Sequence, residues 1–193
     1  MQLVFATNNM HKFKEVRKLL PVRISLLTLR DIGCEDSLPE TGSTLHQNAL
    51  QKARYVHDKY GLNCFADDSG LEVAALGGRP GVYSARFAGP SATSTENIDK
   101  LLIEMKGIQE RAAEFVTVIA LLLDSKEYFF DGRIAGRITE KTFGSGGFGY
   151  DPVFMPSDSD STFSEMSDEQ KNAISHRAIA IQKLTDFLAR ENF

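Results

Sequence analysis

The chain has 193 residues, 42% hydrophobic and 25% charged, with a formal net charge of −4, which fits one globular domain over residues 1–193 with a sizeable core. The negative balance excludes a general nucleic-acid surface, which needs a basic face to neutralise several phosphates at once, but leaves room for a small phosphorylated ligand held by a few local cations. No apolar run approaches the roughly 20 residues of a membrane span and the N-terminal apolar stretch is too short for a secretory signal, so a cytoplasmic protein with no membrane partner is expected.

Residues 2–6 read as a short buried strand. The polar bend Thr7, Asn8, Asn9 leads into a helix bearing Phe13, Val16, Leu19 and Leu20 on one side, and Pro21 ends it. A strand at residues 24–27 and an acidic loop follow. The next helix is opened by Ser43 or Thr44, with Gln47 placed as in a capping box, and stops at Gly61. Residues 64–66 form a second buried strand that runs into the acidic turn Asp67, Asp68, Ser69, Gly70, and residues 71–76 continue as another apolar segment. Cys34 and Cys64 lie apart without C-x-x-C spacing, so both read as reduced structural residues. After a Gly/Pro-rich loop at 77–90, Ile98, Leu101, Leu102 and Met105 mark a helix closed by Gly107. Residues 115–123 are an unbroken apolar run, a central strand, and 128–138 a twisted or bulged partner. A glycine-rich loop at 144–149 precedes a terminal helix with Ala178, Ile181, Leu184, Phe187 and Leu188 on one face and Ser175 at its N-cap. Strands alternating with helices, then a strand pair and a final helix, indicate an α/β protein with a mixed twisted sheet and flanking helices.

The acidic turn is the first chemical signal. Two adjacent carboxylates at the end of a buried strand repel unless a cation compensates them, and magnesium, which takes one or two carboxylates and completes its shell with water and phosphate oxygens, is the simplest partner. The same residues also suit a plain Asx-type connection between strands. Glu40 either favours the following helix N-terminus or supplies a second metal ligand. Thr7, Asn8, Asn9 and Lys12 form either a helix-entry turn or a phosphate site made of backbone N–H groups and one cation. Lys52 and Arg86 are further phosphate cations or surface charges. The loop around Phe148, Gly149, Tyr150 and Asp151 suits a flat ring stacked on an aromatic, or is a hairpin loop. At Ser175, His176 and Arg177 a capping hydroxyl, side-chain donors and backbone N–H groups converge, favouring an electron-rich oxygen.

Together these segments resemble, in order, the inosine triphosphatase or Ham1-like family of non-standard purine nucleoside triphosphate pyrophosphatases. The resemblance rests on Thr7 to Lys12, on Glu40, Thr41, Gly42, on the acidic turn, on the run Gly77 to Arg86, on Gly146 to Pro152, and on Lys171 to Arg177. Asn8 stands where many members carry glycine. The resemblance implies an inosine triphosphatase-like fold of two lobes around a central cleft, a magnesium-dependent homodimer, and hydrolysis of inosine, deoxyinosine and xanthosine triphosphates to monophosphate and pyrophosphate. It implies Asp68 as the catalytic proton acceptor, Glu40 and Asp68 as metal ligands, and Asp67 as an accessory acid. Substrate contacts are implied for Thr7, Asn8, Asn9, Met10, His11, Lys12, Lys52, Ser69, Phe148, Gly149, Tyr150, Asp151, Lys171, His176 and Arg177, with donors of His176 and Arg177 reading the purine's six-position oxygen. The rival expectations are a Maf-like pyrophosphatase for other nucleotides, and a nucleotide-binding module without chemistry.

Overall fold

The computed structural model describes residues 1–191 and is an α/β protein built on a mixed sheet. Strand β1 (Gln2–Phe5) pairs in parallel with β2 (Ser25–Leu27) and with β3 (Cys64–Val73). Two helices make these parallel crossovers, α1 (Met10–Leu19) and α2 (Leu45–Tyr60). Then come β4 (Pro80–Gly81), antiparallel to β3, helix α3 (Ser94–Glu104), and the long strands β5 (Ala112–Leu123) and β6 (Lys126–Ile138). Strand β7 (Phe154–Pro156) runs antiparallel to β6, and helices α4 (Asp168–Ile174) and α5 (His176–Arg190) finish the fold. The strand order is β2-β1-β3-β5-β6-β7, with β4 on β3.

Local chemistry accounts for the helix ends. Asn9 caps α1 by accepting from the amides of His11 and Lys12, and Gly61 closes α2 in the left-handed region at φ 66°, where a side chain would be strained. The capping box expected of Thr44 and Gln47 is half formed. Thr44 does accept from the Gln47 amide, but the Gln47 side chain turns back to Ser43 instead. Complete boxes occur at α3, between Thr93 and Glu96, and at α4, between Ser167 and Gln170.

The chain divides into two compact units. The first comprises Met1–Asp68, Thr117–Gly132 and the chain from Arg177 onward; the second comprises Ser69–Val116 and Arg133–His176. Each has its own apolar core. In the first, Leu3, Phe5 and Phe65 of the parallel strands meet Ile119 and Leu121 of β5, Val16 of α1, and Ile181, Leu184 and Leu188 of α5. In the second, Leu71, Val73, Leu101, Met105, Phe115, Ile138, Phe154 and Phe163 pack together. The chain passes from unit to unit inside β3, β5 and β6 and at the start of α5.

One expectation needs correction. The acidic segment is not a turn between two strands, because residues 67–70 lie inside the single ten-residue strand β3. The carboxylates are neutralised where they stand by nearby cations, so the backbone has no need to reverse, and Gly70 lets β4 approach closely: a Cβ there would lie 2.5 Å from the Gly81 carbonyl oxygen. The run from Lys171 to Arg177 belongs to two helices. Ser175, in extended conformation, ends α4 and directly precedes α5, in line with its expected place at the start of the terminal helix.

Candidate active site

In the first unit, the entry to α1 is a chain of short hydrogen bonds. Thr7 Oγ1 accepts from the Asn9 amide at 3.1 Å, and Asn9 Oδ1 accepts from the amides of His11 and Lys12 at 2.9 and 3.2 Å. The Asn8 amide group donates to the Asp36 carbonyl at 3.4 Å. Met10 and His11 are exposed, while Lys12 is partly buried. The Lys12 ammonium lies 3.0 Å from Asp67 Oδ2. Burial lowers its pKa, with Asp67 opposing that effect.

Asp67 is buried. Arg177 Nε donates to Asp67 Oδ2 at 3.4 Å, and the same guanidinium pairs with Glu15. Burial alone would push the Asp67 carboxyl up; the positive charges of Lys12, Arg177 and Lys52 reverse this and hold it well below the usual carboxylate range. Arg177, the largest fully buried side chain, is thus committed to two carboxylates in this unit.

Asp68 meets different surroundings. Its Oδ2 accepts from Asn48 Nδ2 at 3.0 Å, and its Oδ1 is 3.8 Å from Lys52 Nζ. Burial raises its pKa further than Lys52 and Lys12 lower it, with Glu40 adding to the upward push. The Lys52 ammonium also binds Glu40 at 2.5 Å. Burial disfavours that charge, yet Asp68, Glu40 and Asp67 outweigh it and raise the Lys52 pKa. Glu40 keeps about a third of its side chain exposed, against 11% for Asp68. Among the described residues, no group of three or more His, Cys, Asp or Glu side chains is assembled that could hold a metal ion.

In the second unit, Lys171 binds Asp151 Oδ2 at 2.6 Å, and that oxygen also accepts from the Phe148 amide at 2.7 Å. The Lys171 ammonium lies 4.7 Å from the centre of the Phe148 ring and 5.6 Å from that of Phe163. Glycine is required beside this cluster, since Gly147 has φ 70° and a Cβ there would run into the Asp151 carboxylate. Tyr150 is buried and its hydroxyl donates to the Ser84 carbonyl at 2.9 Å. Phe148 and Gly149 are half-buried, as is Ser69 in β3. His176 is buried with its ring stacked on Phe115, centroids 4.6 Å apart and planes 7° apart.

Sequence reasoning missed Asn48 and Glu15. A signal for Asn48 existed: it interrupts the apolar stripe Leu45, Ala49, Ala53, Val56 of an amphipathic helix, one turn before Lys52.

Residues 3–187 match the Ham1 family. The chain belongs to that family. Among relatives of this Ham1 family chain, a protein of Flavobacterium johnsoniae named dITP/XTP pyrophosphatase is 50% identical over 188 residues, covering 97% of this chain and 98% of the relative. One of the same name from Porphyromonas gingivalis is 51% identical over 97% of each chain. The solved structure of the Staphylococcus aureus Ham1 protein has a TM-score of 0.90 at 38% identity, covering 99% of this chain and 100% of that one. Among the described residues, no helix is long and apolar enough to cross a membrane.

Proposed function

We propose that this Ham1 family protein hydrolyses the triphosphates of inosine, deoxyinosine and xanthosine to the monophosphate and pyrophosphate, clearing them from the nucleotide pool. The observation that carries the proposal is the Glu40–Lys52–Asp68 cluster, present in a chain half identical to relatives named dITP/XTP pyrophosphatase. A homodimer acting in the cytoplasm belongs to the same proposal.

In the proposed reaction, the Asp68 carboxylate takes a proton from water as the water oxygen bonds to the α-phosphorus. The bond from that phosphorus to the bridging oxygen breaks, and pyrophosphate leaves with the bonding electrons. The raised Asp68 pKa supports this role, because a base closer to neutrality accepts a proton more readily than an ordinary surface carboxylate. Asp67, already committed to Lys12 and Arg177, is the accessory acid. Lys12 brings positive charge to the entry of α1, where the positive end of the helix dipole favours a phosphate.

Two carboxylates sharing one ammonium fit a magnesium ion, which needs only one or two protein carboxylates and takes phosphate oxygens for the rest. When bound through Glu40 and Asp68, it supplies the charge that offsets the phosphates. For the purine, the Phe148 face and the adjoining Lys171 and Asp151 offer stacking and polar groups. A six-position carbonyl accepts from such donors as Lys171 and His176. The six-position amino group of adenine does not, and a buried donor left unmatched costs about 1–3 kcal/mol.

Hydrolysis of inosine triphosphate in oxygen-18 water tests the scheme. Label in the monophosphate, with unlabelled pyrophosphate, is the expected result. Orthophosphate as product contradicts it, and preference for pyrimidine triphosphates in side-by-side turnover would favour the Maf-like alternative.

A further inference from the structure

Asn48 is fully buried in α2, on the buried face it shares with Leu45, Ala49 and Lys52. A carboxamide in such a place is costly unless both of its ends are bonded, and both are. Its Oδ1 accepts from the Gly42 amide at 2.8 Å, and its Nδ2 donates to Asp68 Oδ2 at 3.0 Å. A backbone amide can only donate, so the Asn48 oxygen must face Gly42 and its NH2 must face Asp68. The carboxamide therefore presents a donor to the carboxylate and cannot turn over.

Gly42 stands two residues after Glu40 in the same loop. It approaches α2 so closely that a Cβ would lie 2.6 Å from Gln47 Cβ and 2.9 Å from Asn48 Oδ1. One helical turn beyond Asn48, on the same face, Lys52 binds Glu40 directly. So Asn48 and Lys52, four residues apart on α2, each face both the Glu40 loop and Asp68, and Gln51 of the same helix adds two hydrogen bonds of 2.9 Å to Thr41 of that loop.

We infer that Asn48 is a positioning residue for the hydrolysis: it sets the plane of the Asp68 carboxylate and, through Gly42, the loop that carries Glu40, so that the two acids are in register before substrate arrives. This role rests on the pyrophosphatase reading above.

The test compares wild type with Asn48→Leu, which keeps the branched shape at a larger volume and loses both hydrogen bonds, and with Gly42→Ala, which pushes the loop off an intact Asn48. Inosine triphosphate turnover is measured well below each melting midpoint, alongside hydrogen exchange of the Gly42 amide in the ligand-free protein. For Asn48→Leu, kcat should fall about thirtyfold or more with KM within about threefold, since small misplacements of reacting groups cost that much. Gly42 exchange should quicken at least about tenfold once its acceptor is gone. Gly42→Ala should lower kcat about tenfold with Asn48 still present. A merely structural role would lower the melting midpoint and quicken Gly42 exchange while leaving kcat at its wild-type value; a folded Asn48→Leu of that kind overturns the inference. Should Asn48→Leu fail to fold, Gly42→Ala decides, and wild-type kcat in that variant overturns it. Wild-type protein that releases no pyrophosphate would instead sink the reading beneath it.

Discussion

Asp67 and Asp68 are consecutive, yet strand alternation sends their side chains to opposite faces of β3. One meets Lys12 and Arg177, the other Asn48 and Lys52, and this divides their roles. Asp68→Asn should cut pyrophosphate release by at least about a hundredfold, the lower range for a general base, while leaving the melting midpoint near wild type; retained turnover would remove Asp68 from the chemistry. Asp67→Asn should act on the fold, taking the carboxylate from the partly buried Lys12 and leaving Arg177 with Glu15, at about 3 kcal/mol by urea denaturation. The pH dependence has a definite sign. The folded Asp67 carboxyl titrates below its unfolded counterpart, so its contribution is complete above about pH 4 and is lost as pH falls toward the folded value. The gap between wild type and Asp67→Asn should narrow correspondingly in acid. His176→Ala should reduce the preference for inosine over adenosine triphosphate about tenfold, equal to about 1.4 kcal/mol; an unchanged ratio would move base reading to Lys171 and Phe148. At this scale the residue types were legible but their partners were not. Lys12, Lys52 and Arg177 stood out as cations, but the pairing of Arg177 with Asp67 spans 110 positions and leaves no local pattern.

Elements with strong punctuation were readable from the chain. Pro21 and Gly61 mark the ends of α1 and α2, and the apolar run of β5 reads as a central strand. What escaped were elements whose cause is tertiary. The strand β3 continues through two acids because cations wait on either side, and β4 and β7 are edge pairings of two and three residues, too short for any periodicity. Helix α4, at seven residues, is hidden in the same way, although Ser167 and Gln170 carry its capping box. The β5–β6 hairpin yields a prediction at this scale. Its two turn residues, Asp124 and Ser125, both have positive φ, 49° and 63°, a conformation that favours glycine. Ser125→Gly should stabilise by about 0.5–1 kcal/mol, partly offset by loss of the 3.3 Å contact with His57. A rise in melting midpoint of about 2 °C is expected, and a fall would show that the His57 contact outweighs the relief of strain.

Two cores serve the molecule, and neither unit is continuous in sequence. The α/β class was legible because strands and helices alternate. The division was not, since the chain changes units inside strands where the apolar pattern runs on unbroken. Ending the chain at Ser175 would remove Ile181, Leu184 and Leu188 from the first core. With each buried leucine worth about 2–5 kcal/mol, the truncated protein should lose the cooperative thermal transition of that unit in calorimetry; a preserved transition would mean that α5 is dispensable for folding. The buried contact of Arg177 with Asp67 also bears on how the protein is born. Ribosomes deliver residues in order, so Asp67 emerges long before the guanidinium that compensates it, and Leu3, Phe5 and Phe65 emerge long before the helix that covers them. The first unit therefore finishes last, and until α5 emerges the nascent chain carries an open apolar sheet, the kind of surface that chaperones shield.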